Sequence, residues 1–309
     1  MSDWIKVFSP ATVANLGPGF DILALAVEKP GDIVWARQVE KPGVTIVDII
    51  GDNNFLPRAA EKNTAGVAAI EVLKKINSSI GIELTIEKQM PISSGLGSSS
   101  ASACAAAFAA NILTGEKLSK DELVEISGIA EHTITTNYGE NCVAAMLGSV
   151  VVTTNLKPLR GRVIGTLPDL WVIVVYPHMQ LETKLARSIL PEKVSLKDAV
   201  QNNLNTAKMI TGVVQQDTSL FLSGFYDLVI ERYRKMLIPG FDEVKRTAIL
   251  TGATNATISG AGPSMLAFAT EKPDAEAIGR AMQKAFLKEG QESTVYVSKI
   301  NTKGTHVID

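Results

Sequence analysis

The chain has 309 residues, of which 46% are hydrophobic, so it is long enough and apolar enough to bury a large core in one or two domains. Its 30 basic and 32 acidic residues are spread along the sequence and leave a net charge of −2, which gives no basic stripe for nucleic acid and favours a small-molecule partner. With two cysteines and three histidines, the chain has too few of either for a disulfide framework or a histidine zinc site, so oxygen ligands are expected for any metal.

The sequence also carries signals about location. Its N-terminus lacks a basic segment followed by an apolar core, and the Ala/Ser-rich stretch after residue 97 is too polar to span a bilayer. Cys104 and Cys142 lie in apolar surroundings, as buried thiols do. We therefore expect a soluble cytoplasmic protein with no membrane partner.

In the first part of the chain, strands come early and helices follow. Apolar or alternating runs predict strands at residues 4–8, 33–38, 44–50 and 82–88. Apolar positions at helical spacing predict a helix over residues 63–76. A further helix is expected over residues 120–130, because Ser119 and Glu122 have the spacing of a capping box.

Strands are predicted next at residues 148–154 and 170–176. The stretch 157–168 between them contains proline and glycine and is the predicted domain boundary. The sequence thus predicts an N-terminal domain of residues 1–165 and a C-terminal domain of residues 166–309.

The second half of the chain mixes helices and strands. Helices are predicted at residues 196–216, 219–226, 241–250 and 274–289. Strands are predicted at residues 256–258, 265–269 and 293–299. Because the order lacks the strict βαβ rhythm of a doubly wound sheet, the predicted fold class is α+β.

The most informative segment is residues 91–103, Pro-Ile-Ser-Ser-Gly-Leu-Gly-Ser-Ser-Ser-Ala-Ser-Ala. Its first part, residues 91–100, is here called the Gly95 loop. Gly95 and Gly97 allow a tight turn close to a ligand, and the alanine-rich helix that follows would present unpaired N–H groups and a positive dipole end. The segment predicts a phosphate cradle, although its spacing is not that of a Walker P-loop. A plain helix cap is the alternative interpretation.

Two further segments accompany the Gly95 loop. Residues 9–21 read Ser-Pro-Ala-Thr-Val-Ala-Asn-Leu-Gly-Pro-Gly-Phe-Asp, and residues 259–264 read Ser-Gly-Ala-Gly-Pro-Ser. The three segments resemble the three motifs of the GHMP small-molecule kinases. Within that superfamily, the first segment resembles the homoserine kinases, and the resemblance extends in order over essentially the whole chain. The resemblance implies a two-domain α+β GHMP kinase fold, with an N-terminal domain like ribosomal protein S5 domain 2 and a ferredoxin-like C-terminal domain.

The resemblance also implies a site for ATP and Mg²⁺ in the cleft between the domains. Ser99 and Glu131 would coordinate the Mg²⁺, a hard cation that takes oxygen ligands, and Asn63 would lie near the adenine nucleoside. The nucleotide would contact the Gly95 loop and two glycines of the third motif: Pro91, Ser93, Ser94, Gly95, Leu96, Gly97, Ser98, Ser99, Ser100, Gly260 and Gly262. The alternatives are an exposed helix-end carboxylate for Glu131, a helix cap for Asn63 and a strand-turn glycine cluster for the third motif.

For the acceptor, the resemblance implies L-homoserine bound by a set of polar side chains, namely Asn15, Asp21, Tyr138, Asn141, Thr183, Arg187 and Arg234. One or two arginines would bind the substrate carboxylate, and Asp21 would hold the ammonium group. The alternatives are a solvated helix face for Arg187, a surface charge run for Arg234 and a turn-capping carboxylate for Asp21.

One segment departs from the family pattern. Many homoserine kinases have a histidine and an aspartate where this chain has Tyr138 and Glu140, whereas Asn141 is retained. A tyrosine hydroxyl can still donate a hydrogen bond, and glutamate keeps the charge at a greater reach. The departure therefore concerns the identity of the substrate more than the type of reaction.

The implied activity is ATP-dependent phosphorylation of the homoserine side-chain hydroxyl, in threonine biosynthesis. The hydroxyl would attack the γ-phosphate in line, with Ser99, Glu131 and Asn141 as the catalytic group and without an Asp/Lys pair. Two alternatives stay open: a GHMP kinase acting on another small alcohol, and a catalytically silent nucleotide or metabolite sensor. A serine hydrolase is disfavoured because the chain has no Gly-x-Ser-x-Gly elbow. A homodimer is left open.

Overall fold

The computed structural model describes residues 4–135 and 139–309, so Tyr138 lies outside the described residues. The described chain forms two β-sheets with helices packed against them. The strands are β1 (Ile5–Ala14), β2 (Leu23–Val39), β3 (Gly43–Ile50), β4 (Gly81–Glu87), β5 (Val150–Leu156), β6 (Leu159–Gly165), β7 (Trp171–Pro177), β8 (Ala256–Ile258), β9 (Met265–Ala269), β10 (Ser293–Ser298) and β11 (His306–Ile308). The helices are α1 (Thr64–Lys75), α2 (Ser98–Leu113), α3 (Lys120–Thr135), α4 (Glu140–Leu147), α5 (Thr183–Ser188), α6 (Leu196–Gln215), α7 (Thr218–Ser223), α8 (Glu231–Arg234), α9 (Phe241–Leu250) and α10 (Lys272–Lys288).

The first sheet is built mainly from the N-terminal half of the chain. Its strands run in the order β11, β1, β2, β4, β3, and β5 pairs both with β2 and with β6. Strands β1 and β2 are antiparallel, whereas β3 and β4 are parallel. The pairing of β11 with β1 brings the end of the described chain back to this sheet.

The stretch 157–168, interpreted from sequence as a domain boundary, is not an unbroken linker. Strand β6 lies within it and pairs antiparallel with β5. The second sheet starts with β7, so the chain passes from one sheet to the other after Gly165. The division into residues 1–165 and 166–309 stays a prediction. It did not anticipate that β11, from the predicted C-terminal domain, pairs with β1 of the first sheet.

Helix α2 packs between the first sheet and its neighbouring helices, and its alanine-rich composition explains this close packing. Its alanines, from Ala101 to Ala110, are buried, and the helix contacts α1, α3, α4 and the strands β1 and β2. Alanine combines the highest helix propensity with a very small side chain, so neighbouring elements approach closely. This packing fixes the position of the first turn of α2, where the Gly95 loop ends.

The second sheet is antiparallel throughout, in the order β10, β7, β9, β8. Helices α9 and α10 cover one face with buried side chains such as Phe286. On the other face, Met209 of α6 and Phe221 of α7 join a cluster that also contains Leu16 and Leu96 from the N-terminal motifs. This shared apolar core holds the first two motifs against the second sheet.

The mixture of two sheets with packed helices confirms the predicted α+β class. Strand β1 extends to Ala14, so the first motif is half strand, and its turn begins at Asn15. Elements α4, α5, α8, β6 and β11 were not predicted, because most of them are too short for a periodicity to show. Within residues 4–135 and 139–309, no helix combines the length and the apolar character needed to cross a membrane.

Candidate active site

A cavity of about 510 Å³ is lined by residues from both halves of the chain and from all three motifs. The predicted site residues in its lining are Asn15, Asp21, Asn63, Ser93, Ser94, Gly95, Gly97, Ser98, Ser99, Ser100, Glu131, Asn141, Thr183, Arg187, Arg234 and Gly260. Three others are not in the lining: Leu96 is buried in the shared core, Gly262 donates to the Ser259 carbonyl at 2.9 Å, and the Pro91 carbonyl accepts from the Ser94 hydroxyl at 2.7 Å. Most of the predicted site residues that the structure describes therefore line one cavity.

The Gly95 loop requires glycine for two reasons. Gly95 and Gly97 both have positive φ, at +82° and +70°. A Cβ on Gly97 would lie 2.0 Å from the Thr12 hydroxyl oxygen, and a Cβ on Gly95 would lie 2.5 Å from the Ser259 carbonyl oxygen. The close approach of the first and third motifs thus leaves no room for side chains at these positions.

The loop leads directly into α2, as the sequence predicts. Gly97 is the N-cap of this helix and provides no side-chain acceptor for the first N–H groups. Ser98, Ser99 and Ser100, the first three residues of α2, line the cavity. A helix start that opens into a cavity without a side-chain cap can bind an anion, because its N–H groups and its dipole favour negative charge.

The three motifs are also hydrogen-bonded to one another. The Ser259 hydroxyl of the third motif donates to the Gly95 carbonyl at 2.7 Å, and the Ser264 amide donates to the Ser94 carbonyl at 3.2 Å. Asn15 of the first motif donates from its amide group to the Gly260 carbonyl at 2.8 Å. The strand-turn interpretation of the third motif is therefore incomplete, since its turn is built against the Gly95 loop.

The cavity lining also contains an ion pair between the first motif and α5. Arg187 donates through both terminal nitrogens to the two carboxylate oxygens of Asp21, at 3.0 and 2.8 Å. The Asp21 backbone amide in turn donates to the Asn15 side-chain oxygen at 3.0 Å. Arg187 therefore does not simply lie on a solvated helix face, and Asp21 already has a cationic partner.

Arg234 is a buried residue, with 2% of its surface exposed. Its Nε donates to the Ala186 carbonyl and its Nη1 donates to the Gly260 carbonyl, each at 3.0 Å. Burial, with a contribution from the charge of Arg187, lowers the pKa of Arg234 to about 10. The surface interpretation of Arg234 is wrong, because α8 turns this side chain into the protein.

One aromatic ring, that of Phe20, lies close to both arginines. The guanidinium carbons of Arg187 and Arg234 lie 5.2 and 5.1 Å from the centroid of the Phe20 ring. The negative face of an aromatic ring attracts cations at this distance. Phe20, in the Gly-Pro-Gly-Phe-Asp part of the first motif, therefore helps to keep two like charges at one end of the cavity.

Glu140 is a further acidic group in the cavity lining, although the sequence indicates it only as a departure from the family pattern. It is the first residue of α4, and its Oε1 accepts from the Asn141 side-chain amide at 3.3 Å. Its Oε2 is buried and has no hydrogen-bond partner among the described residues. Burial is the main reason that the pKa of Glu140 rises to about 7, and the charge of Asp21 acts in the same direction.

Glu131 lies near the end of α3 with none of its surface exposed, so it is not an exposed helix-end carboxylate. Glu131 and Ser99 line the same cavity. Within the described part of the chain, no group of three or more His, Cys, Asp or Glu side chains could hold a metal ion. One carboxylate with one hydroxyl nevertheless suits Mg²⁺, which keeps several waters and takes substrate phosphate oxygens as ligands.

Asn63 is the N-cap of α1, so the helix-cap interpretation of this residue is correct. Its side-chain oxygen accepts from the Ala65 amide at 3.0 Å, and its side-chain nitrogen donates to the Pro57 carbonyl at 3.0 Å. It also lines the cavity, beside the exposed ring of Phe55. Its capping role is thus compatible with a position near a bound nucleoside.

Comparison with known protein families gives two matches. The model for the GHMP kinases N terminal domain matches residues 63–149. The model for the GHMP kinases C terminal region matches residues 209–288. Together the two matches cover more than half of the chain.

Comparison with individual proteins extends the likeness over the full length. A homoserine kinase of Chlorobaculum tepidum is 38% identical over 314 residues, which cover 97% of each chain. A homoserine kinase of Xylella fastidiosa is 35% identical over 305 residues, covering 98% of this chain and 94% of the relative.

Solved structures show the same likeness. The crystal structure of homoserine kinase from Cytophaga hutchinsonii matches with a TM-score of 0.95 and 39% identity, covering 100% of this chain and 98% of that one. The L. major mevalonate kinase structure matches with a TM-score of 0.71 at 15% identity, a likeness of fold alone. These matches confirm the predicted fold.

Proposed function

The chain belongs to the GHMP kinase family, and from that premise we propose that it transfers the γ-phosphate of ATP to the side-chain hydroxyl of L-homoserine. The observation that carries the proposal is the likeness to homoserine kinases at 35–39% identity over nearly the whole of each chain. The product is O-phospho-L-homoserine, an intermediate of threonine biosynthesis. The mevalonate kinase likeness is confined to the fold, so it supports no other alcohol as the acceptor.

The charged groups Asp21, Glu140, Arg187 and Arg234 in the cavity lining suit an amino acid. L-Homoserine carries a carboxylate and an ammonium group, and we assign the carboxylate to Arg234, supported by Arg187, which also binds Asp21. We assign the ammonium group to Glu140, supported by Asp21, because Glu140 has a buried oxygen without a partner among the described residues, whereas Asp21 already binds Arg187.

Several neutral side chains complete the proposed acceptor subsite. Asn15 and Asn141 lie in the lining, as does Thr183 at the start of α5. The Thr12 hydroxyl donates to the Asn141 side-chain oxygen at 2.7 Å, which fixes the orientation of that amide. Tyr138 stays a predicted member of the subsite. These groups would orient the substrate rather than bind its charges.

For the nucleotide, we propose that the Gly95 loop and the first turn of α2 bind the phosphates. Ser99 and Glu131 would hold Mg²⁺, whose donor requirements their hydroxyl and carboxylate oxygens meet. When bound, Mg²⁺ supplies positive charge that neutralises the phosphate oxygens during transfer. Asn63 and the adjacent rim would face the nucleoside.

The transfer needs positioning more than a strong base. The homoserine hydroxyl oxygen forms a bond to the γ-phosphorus while the bond from that phosphorus to the β,γ-bridging oxygen breaks. ADP leaves with that electron pair, and the hydroxyl proton passes to a phosphate oxygen or to water. Because the transition state is loose, orientation by Asn141 and charge stabilisation at the start of α2 can suffice.

Coupled ADP release from the purified protein with Mg·ATP tests the proposal. L-Homoserine is compared with mevalonate, shikimate, galactose and no acceptor. We expect turnover only with L-homoserine, which would show that Tyr138 and Glu140 are compatible with this substrate. Turnover on another alcohol would overturn the substrate assignment, and ATP binding without turnover would indicate a sensor.

Two substitutions test the proposed nucleotide and metal groups. We expect Ser99→Ala and Glu131→Gln each to reduce kcat by roughly 100- to 1000-fold, as losing one transition-state contact does. Ser119→Ala, which removes an exposed hydroxyl from the cap of α3, is the control and should keep normal turnover. Unchanged turnover in both site variants would contradict the assignment.

Location and assembly stay predictions. Cys104 and Cys142 are free, buried thiols, as expected in the predicted cytoplasmic location. The homodimer left open by the sequence can be tested by sedimentation of the purified protein.

A further inference from the structure

A buried ion pair lies beneath the Gly95 loop, and the proposed reaction does not use it. Asp32 in β2 is completely buried, and Lys88, which follows β4, has 8% of its surface exposed. The antiparallel pairing of these two strands brings them together, since Ile33 lies opposite Glu87. Their side chains form an ion pair.

The Asp32 carboxylate binds the residues just before the Gly95 loop and the start of α2, where the loop ends. Its Oδ1 accepts from the backbone amides of Gln89 at 3.0 Å and Met90 at 3.3 Å, just before the loop. Its Oδ2 accepts from the hydroxyls of Ser98 at 2.9 Å and Ser102 at 3.2 Å, in the first turns of α2. One carboxylate therefore connects the entry of the loop to its exit.

Lys88 completes the same network. Its ammonium group donates to the Ser98 carbonyl at 3.0 Å and to the Ser102 hydroxyl at 2.8 Å, besides its bond to Asp32. Three acceptors thus occupy its three donors. The lysine neutralises the buried carboxylate and also binds the first turn of α2.

Stability alone does not explain such a pair. Apolar residues of similar volume often give a core equal or greater stability than a buried ion pair. Apolar residues, however, could not accept hydrogen bonds from the amides and hydroxyls at the two ends of the loop. The network therefore has a positional role that a hydrophobic contact could not fill.

We propose that Asp32 is a positioning residue for the phosphates of ATP: it fixes the separation of the two ends of the Gly95 loop, with Lys88 as its counterion. The inference rests on the proposed function in that the loop binds the nucleotide. It concerns binding of the nucleotide and not of the amino acid, because Asp32 contacts the chain before the Gly95 loop and the start of α2, and does not itself line the cavity.

The test is Asp32→Asn, which keeps the shape of the side chain and removes its charge. We expect KM for ATP and the calorimetric Kd for Mg·ADP to rise at least about tenfold, because a displaced binding loop loses its alignment. KM for L-homoserine should stay within about twofold of the wild-type value. An unchanged Kd for Mg·ADP, or an equal rise of both KM values, would overturn the proposal.

Glu125→Gln is the matched control for lost stability. It breaks the partly buried ion pair between Glu125 Oε2 and Arg160 Nη2, which lie 2.9 Å apart. Neither residue lines the cavity of the candidate active site. We expect a lower unfolding temperature with an unchanged Kd for Mg·ADP. A weakened Kd in this control would show that any loss of stability loosens the loop, and so would overturn the positioning role.

A milder variant keeps the test available if Asp32→Asn does not fold. Ser102→Ala removes a hydroxyl that bridges Asp32 and Lys88 but keeps both charges, and we expect about threefold weaker Mg·ADP binding. No change would overturn the proposal. The wild-type assay with L-homoserine tests the proposed function separately, because the Mg·ADP titration does not depend on the acceptor.

Discussion

Glu140, in the proposed acceptor subsite, changes its charge near neutral pH. Its pKa of about 7, raised by burial and by Asp21, means that the carboxylate is charged above pH 7 and largely neutral below it. An ammonium ligand must be charged to attract its partner. Homoserine binding should therefore strengthen as the pH rises through this value.

The first prediction concerns Glu140→Gln. We expect KM for L-homoserine at about pH 8 to rise roughly 10- to 100-fold, as for the loss of a hydrogen bond to a charged group. In the wild-type protein this KM should increase as the pH falls through 7, whereas in the variant it should be nearly flat. A pH profile of KM checks both points, and a parallel profile in the variant would contradict the assignment.

The same substitution has an opposite effect on stability. A carboxyl group whose pKa is raised from 4.5 to about 7 by folding destabilises the folded state as it ionises across that range. Glu140→Gln should therefore stabilise the protein at about pH 8 by up to about 3 kcal/mol, an advantage that disappears below about pH 4.5. Urea unfolding of both proteins at about pH 8 and below pH 4.5 measures this difference in the free energy of unfolding. The same difference at both pH values would contradict the burial argument.

The second prediction concerns Arg234→Lys. Lysine keeps the charge but cannot donate from a planar group to both the Ala186 and Gly260 carbonyls. We expect KM for L-homoserine to rise at least about tenfold and the unfolding temperature to fall. Arg232→Lys is the control, since Arg232 forms a surface ion pair with Asp198 and should tolerate the change. Similar kinetics in the two variants would refute the assignment.

At the scale of elements, the turn from β4 through the Gly95 loop into α2 is the unit that shapes the nucleotide end of the cavity. Its backbone is held in the left-handed region at Gly95 and Gly97, and the first motif approaches within contact distance. Only a residue without a side chain satisfies both constraints.

The third prediction is a comparison of two Gly→Ala variants. Gly97→Ala places a Cβ where the Thr12 hydroxyl already lies, so we expect KM for ATP to rise at least about tenfold. Gly115→Ala, just past the other end of α2, also has a positive φ but meets nothing within 4 Å. It should lower stability by about 1 kcal/mol and leave KM unchanged. Equal kinetic effects would contradict the steric argument.

Local signals made this element predictable. The glycines and the alanine run lie within a few residues of each other. The cap of α3 was predictable for the same reason, and the capping box of Ser119 and Glu122 is confirmed by hydrogen bonds of 2.9 and 3.4 Å. The network of Asp32 and Lys88 was not predictable, because it joins residues from different strands and neither side chain has a sequence signal of its own. Burial of Glu140 likewise depends on how α4 packs.

At the scale of the whole molecule, β11 links the end of the described chain to the first sheet. It pairs with β1 from Lys6 to Phe8, and the preceding Thr305 hydroxyl donates to the Ala145 carbonyl at 2.9 Å. The strand lies away from the cavity, since none of its residues is in the lining. It therefore contributes to stability without contacting the substrates.

The fourth prediction is that removal of residues 306–309 lowers the unfolding temperature by a few degrees, as the loss of about 1–2 kcal/mol does in a chain of this size. Both KM values should stay within about twofold of the wild-type values. Thermal unfolding and the ADP-release assay measure the two effects. Changes in KM without a change in unfolding temperature would contradict this role for β11.

The return of β11 also bears on how the protein is made. During synthesis, β1 leaves the ribosome long before β11 does, so the outer edge of β1 has no strand beside it while the residues between the two strands are being translated. An open strand edge invites pairing with other nascent chains. Strand β11 thus closes an edge of β1 that must be shielded, for example by chaperones, until the residues of β11 themselves have been translated.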